Sequence, residues 1–225
     1  MPRGYDAAMD RRQALALFRA ITAIVVIAAV AYQAWLIIDS GLFRPLRFFA
    51  FFTILSNLFG AVLWLGLAAS WRRTRTRTDD LLRGAATLYL VVTFIVVVVL
   101  LSGAELSLSN PTVDFIVHKA FPILVVIDWL IDPPETDLRM PDLGYWLIFP
   151  VVWVVLTLIR GAVDGWYPYP FLDPDNGGYR SVAYHVAAIV AGFLILSGII
   201  VALGDFGRDR RLRAERAGPA TAAKA

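Results

Sequence analysis

The sequence predicts an all-α fold: a polytopic membrane protein with six transmembrane helices and both termini in the cytoplasm. Three observations predict it. Of the 225 residues, 59% are hydrophobic and the mean hydropathy is +0.66, whereas a soluble domain stays nearer half apolar. The apolar residues gather into long runs rather than short amphipathic periods, as they do when lipid is the solvent. The basic residues collect at alternate ends of those runs.

The runs lie at about 18–38, 48–69, 85–103, 113–131, 143–159 and 182–203, each near the roughly 20 residues that cross a bilayer core. All should be helices, because a lone strand leaves its backbone groups unpaired in lipid. The first follows basic residues as a signal peptide would, but it is too long for one and reads as an uncleaved span. One side of the membrane then receives Arg3, Arg11, Arg12, Arg19, Arg72, Arg73, Arg75, Arg77, Arg83 and Arg139, with Arg208 and the basic residues after it, through Lys224. The other side receives only Arg44, Arg47, Arg160 and Arg180. The positive-inside rule makes the first side cytoplasmic, and an even number of crossings agrees. Residues 1–205 form a single domain, and the charged, small-residue tail 206–225 is expected to be disordered and cytoplasmic.

Depth follows from orientation. Thr53 lies five residues into the second run and His118 five residues into the fourth, both entered from outside. At 1.5 Å per residue, each sits about 7–8 Å below the outer boundary. An ionisable residue inside a span is a functional candidate by default, or else a polar tie between helices. Asp114, one turn before His118, is placed to hold one ring nitrogen and set the tautomer. Pro122 removes a helical donor and should kink the helix beside it.

A threonine in such a helix ordinarily bonds back to the carbonyl one turn earlier, here Phe49. Ser56, Asn57 and Gly60 share the face of Thr53, so that face should meet protein rather than lipid. Lys119 points away from His118 and should snorkel outward. Asp128, just before IDPPETD, reads as a solvated carboxylate, and His185 as a headgroup-level residue. Arg44, Arg47 and Arg160 cluster by depth at the outer interface, as headgroup contacts or as an anchor for an anionic substrate. The chain has no cysteine, which excludes disulfides, thiolate metal sites and cysteine nucleophiles.

Four stretches, FFTILSNL, HKAFPILVVIDWL, LIFPVVWVVLTLIRG and GWYPYPFLDPDNGGY, together resemble the androgen-induced and TFPI-regulating six-pass membrane proteins, in particular their bacterial branch. The resemblance covers about half the chain. It implies hydrolysis of fatty acid esters of hydroxy fatty acids, or of a similar lipid ester, with Thr53 as nucleophile and His118 as base. His118 stands four residues before Pro122 where the mammalian pattern has five, a slip that turns a side chain by about 100°.

Such chemistry fits the residues: a hydroxyl needs a base during attack, and neutral imidazole is the suitable group at this depth. Asp114 would orient the imidazole, Asn57 is a candidate oxyanion donor, and the three outer arginines are candidates for a lipid carboxylate. This reading requires no cofactor and no metal; the expected partners are membrane lipids and a lipid-ester substrate, not nucleic acid. Two other readings stay open: a haem held by His118 and His185, and a non-catalytic scaffold or transporter whose polar residues only join helices.

Overall fold

The computed structural model describes residues 10–100 and 110–222. Arg3, Lys224 and positions 101–103 of the expected third span lie outside the described residues. Five helices are long and apolar enough to cross a membrane: α1 (Arg11–Asp39), α3 (Phe52–Ala69), α4 (Arg77–Leu100), α7 (Leu143–Asp164) and α8 (Gly178–Ala222). A single turn, α2 (Pro45–Phe48), precedes α3. The remaining apolar run is a broken helix: α5 (Pro111–Phe115), a π-turn (Ile116–Ala120) and α6 (Phe121–Ile131). No strand occurs among the described residues.

Side-chain size decides how these helices meet. The buried face of α1 runs Ala16, Arg19, Ala23, Val26, Val30, Gln33, a three-four spacing of mostly short side chains that lets α3 approach closely. The expected inward face of α3 is the buried one: Thr53, Ser56, Asn57 and Gly60 all point into the bundle. Gly84 of α4 allows the ring of Trp146 to approach the backbone closely, since a Cβ there would come within 2.2 Å of the indole. Trp146 Nε1 then donates to the Leu81 carbonyl at 2.9 Å, and Tyr89 Oη to the Trp146 carbonyl at 2.8 Å, fastening α7 to α4. Trp129 Nε1 donates to the Ile200 carbonyl at 3.0 Å, tying α6 to α8. Outward-facing positions are apolar, as on Ile21, Ile24, Val62, Ile148, Val163 and Ile195.

One end of the bundle holds an ion network where solvated groups were expected. Asp128 is 2% exposed and accepts from Arg19 Nε at 2.8 Å and Arg83 Nη2 at 2.9 Å. Arg19 also reaches Asp132 at 2.6 Å. Arg75 bridges Asp132 and the Pro133 carbonyl, and Asp80 accepts from the Glu135 and Thr136 amides at 2.8 and 2.9 Å. The reading of Asp128 as a solvated carboxylate is therefore corrected, and Arg19 and Arg83, two of the basic residues assigned to the cytoplasmic side, are buried. The loop IDPPETD is stapled from α1 and α4. Desolvation makes each of these charges costly unless paired, and each has an opposite charge within ion-pair distance.

The chain after residue 205 also departs from expectation. It continues α8 as helix to Ala222 rather than beginning a disordered tail. Gly207 meets Pro133, and Arg208 Nη2 donates to Asp137 at 2.9 Å, holding this part of the helix to the same loop.

Two predictions follow from the network. Replacing Asp128 by Ala leaves Arg19 and Arg83 short of their shared partner in a buried site, and should lower stability by about 3–5 kcal/mol; thermal unfolding in detergent reads this. Burial raises the pKa of Asp132, but Arg83, Arg75 and Arg19 outweigh it and hold the carboxyl at about 2. A carboxylate depressed in the folded state stabilises fully above its ordinary pKa of about 4 and loses that contribution as pH falls through its folded value. The melting temperature should therefore drop between about pH 4 and pH 2, and Asp132→Asn should flatten that limb.

Candidate active site

Thr53 owes its position to a break in the chain. The short turn α2 ends at Phe48, and α3 starts afresh at Phe52, with Phe51 extended before it. Thr53 is thus in the first turn of α3 rather than one turn inside a longer helix. The expected bond to Phe49 does not form. The buried hydroxyls of Ser56, Thr87, Thr93 and Ser197 do bond back to the carbonyl four residues earlier, at 2.6–3.0 Å. Thr53 Oγ1 instead pairs with Tyr169 Oη at 3.3 Å, and Thr53 N–H donates to the same oxygen at 3.4 Å.

Tyr169 comes from the loop between α7 and α8. Gly165, at φ +65°, ends α7 in a left-handed turn that directs the chain back over the helices, a conformation glycine adopts without steric cost. Tyr169 is 5% exposed; Phe51 meets its ring edge-on and Phe171 stacks on it at 5.2 Å. Phe171 in turn stacks on His185 at 5.9 Å. Burial raises the Tyr169 phenol above its ordinary pKa, against the lowering effect of its bonds to Thr53, so it stays neutral and able to donate.

Below this contact lies an apolar cavity of about 70 Å³ between α3, α4, α7 and α8. Phe52, Val92, Trp153 and Phe193 wall it, and Thr53 and Tyr169 supply polar atoms at its margin. A second apolar space, about 170 Å³, shares Val92, Val96 and Ile189 with the first and opens along the seam of α4 and α8. Gly192 lies on that seam, and a Cβ there would meet open space.

His118 sits in the π-turn and is 4% exposed. Asp114 Oδ1 lies 2.7 Å from its Nδ1. An ionised carboxylate only accepts, so Nδ1 carries the proton and Nε2 of the neutral ring holds the lone pair. The π-turn explains what Pro122 does. Phe121 N–H bonds to the Ile116 carbonyl, five residues back. In that register the Val117 carbonyl would look to residue 122, which is proline and has no N–H. Asn57 Nδ2 supplies the missing donor at 3.0 Å and also donates to the Thr53 carbonyl at 2.9 Å.

Helices α3 and α5–α6 are in contact, and the Thr53 and Val117 carbonyl oxygens, each within 3.0 Å of one nitrogen, are no more than about 6 Å apart. Both N–H bonds of Asn57 are engaged, however, so it ties the helices together rather than serving as an oxyanion donor. Its Oδ1 is buried with no protein partner. The side chains of Thr53 and His118 do not bond each other among the described residues: one turns to Tyr169, the other to Asp114.

The remaining candidates divide. The Arg47 and Arg160 guanidiniums lie over the Trp166 ring, at 5.0 and 4.7 Å. Arg160 also donates to the Leu46 carbonyl at 3.0 Å, so it braces the loop. Arg44 and Arg47 border a separate apolar groove with Phe48 and Phe51. Lys119 is exposed, as expected. His185 is half-buried, with Nδ1 at 2.9 Å from the Ser181 carbonyl. It sits under Phe171 on α8, whereas the π-turn bearing His118 packs on α1, α3 and α4. Tyr169 escaped the sequence reading; the aromatic stretch GWYPYPF was its only signal.

Comparison of the chain with protein families, with curated proteins and with solved structures finds no match.

The Asn57 contact yields a prediction. Asn57→Ala should cost about 1–3 kcal/mol, the penalty for burying an unpaired carbonyl. In a Pro122→Ala background, residue 122 regains its N–H and the cost should shrink. A double-mutant cycle on thermal stability measures that coupling.

Proposed function

We propose that the protein is an integral membrane hydrolase of lipid esters, with Thr53 as nucleophile. In this reading the helical run Pro111–Ile131 is a sixth span, and both termini lie on the arginine-rich, cytoplasmic side. The support for the spans is the length and apolar surface of the helices, with the basic residues biased to one end. The observation that carries the chemistry is the bonding of Thr53. Four of the five other buried serine and threonine hydroxyls close onto their own helices, whereas this one faces a loop phenol at the margin of an apolar cavity.

The parts suit an acyl ester. The chain of the acyl group fills the cavity and leaves it sideways between α4 and α8, beside Gly192, where the bilayer supplies lipid without passage through water. The ester carbonyl then lies at Thr53. Attack by Oγ1 on the carbonyl carbon forms a tetrahedral intermediate, and the hydroxyl proton passes to a base. His118 Nε2 is the base in this proposal, its tautomer fixed by Asp114. Substrate has to bring the two side chains together, since catalytic hydrogen bonds tighten in the bound complex. Tyr169 Oη, released from Thr53, donates to the oxyanion. Collapse expels the alcohol, which takes the proton from His118, and water repeats the sequence to free the acid.

Purified protein in detergent, assayed on a fatty acid ester of a hydroxy fatty acid, tests this. Thr53→Ala should abolish turnover, His118→Ala should reduce it by about 10²–10⁴-fold, and Tyr169→Phe should reduce it while preserving the fold. Wild-type rates in Thr53→Ala would end the proposal. A second reading, a non-catalytic membrane protein, is favoured by the separate partners of Thr53 and His118. It predicts that none of the three variants changes turnover while each lowers the melting temperature.

A further inference from the structure

At the end of the bundle opposite Thr53, the arginines exceed what the buried network uses. Arg19, Arg75 and Arg83 face Asp80, Asp128 and Asp132, three charges against three. Outward from Asp132 lies a cleft of about 70 Å³ whose walls include Arg11, Arg12, Arg73 and Glu135. Arg73 is matched by Asp79 at 2.9 Å. Arg12 comes no nearer than 3.6 Å to Glu135 and its side chain is 55% exposed. Arg11 is bonded to the Ile131 carbonyl, a neutral acceptor. The mouth of the cleft therefore carries net positive charge beside a polar floor.

We propose that this cleft binds a phosphate-bearing anion, with Arg11 and Arg12 as its donors and Arg73, paired with Asp79, at its edge. Guanidinium groups present paired N–H donors that match phosphate oxygens two at a time. A tetrahedral phosphate accepts from several such forks at once, as a planar carboxylate does less well. The surroundings suit a headgroup. Leu67 and Trp71 line the same cleft, α3 ends at Ala69 just before it, and tryptophan favours the headgroup level of a bilayer. The same chemistry admits a free phosphate from solution. This inference is independent of the Thr53 chemistry.

Native mass spectrometry of the full chain, exchanged into micelles containing phosphatidylglycerol or phosphatidylcholine, tests it. Wild type should retain phosphatidylglycerol in preference to phosphatidylcholine. The double variant Arg11→Gln/Arg12→Gln should lose that preference about thirtyfold, each interfacial arginine being worth roughly a factor of five. Both side chains lie outside the buried network, and an unchanged melting temperature in neutral lipid verifies folding. The change Arg180→Gln, at the other end, should have no effect. Inorganic phosphate alone is the second arm: if it raises the melting temperature of wild type but not of the double variant, the source is a soluble anion; if only phosphatidylglycerol does so, it is a lipid. Equal retention of the two lipids with no response to phosphate overturns the proposal, as does a double variant that behaves like wild type.

Discussion

Pro122 removes a backbone donor from a helix that is buried at this point. The response organises the centre of the molecule. The helix widens into a π-turn, which moves the vacancy to the Val117 carbonyl, and Asn57 fills it from the neighbouring helix. That one amide ties α3 to α5–α6. Thr53 and the His118–Asp114 pair inherit their positions from it. A buried carbonyl left unpaired is costly enough to act as a locating device.

Comparable pairing recurs at the arginine-rich end, where charges rather than amides meet. Arg19 of α1, Arg83 of α4 and Arg75, just before α4, hold the carboxylates at the end of α6 and the start of the loop after it. The two ends thereby have different characters. One is a closed ionic knot that fixes four elements, and the other a hydroxyl and a phenol loosely paired over apolar space. Loose pairing is compatible with exchange for a ligand; the knot is not.

Much of this was legible in the sequence because hydropathy and helical spacing are local properties. The apolar runs, the inward face of α3 and the Asp114–His118 pair all arise within one or two turns. The ionic knot was missed because its members stand 45 to 113 positions apart. A signal was present nonetheless: Arg19 and Asp128 each interrupt an apolar run, and such charges seek one another. The start of α3 was misplaced because FRPLRFFAFF is uniformly apolar apart from its arginines, so composition could not reveal the break at Phe49–Phe51. Tyr169 depends on a loop fold that no periodicity encodes.

The length of α8 has its own consequence. Its 45 residues extend about 68 Å at 1.5 Å each, roughly twice the thickness of a hydrocarbon core. A helix clamped at Gly207 and Arg208 and still continuous beyond them is a stiff mast. Whatever is joined to its tip is held at a set distance from the lipid surface, and a twist or tilt of the span reaches that tip as a lever's swing.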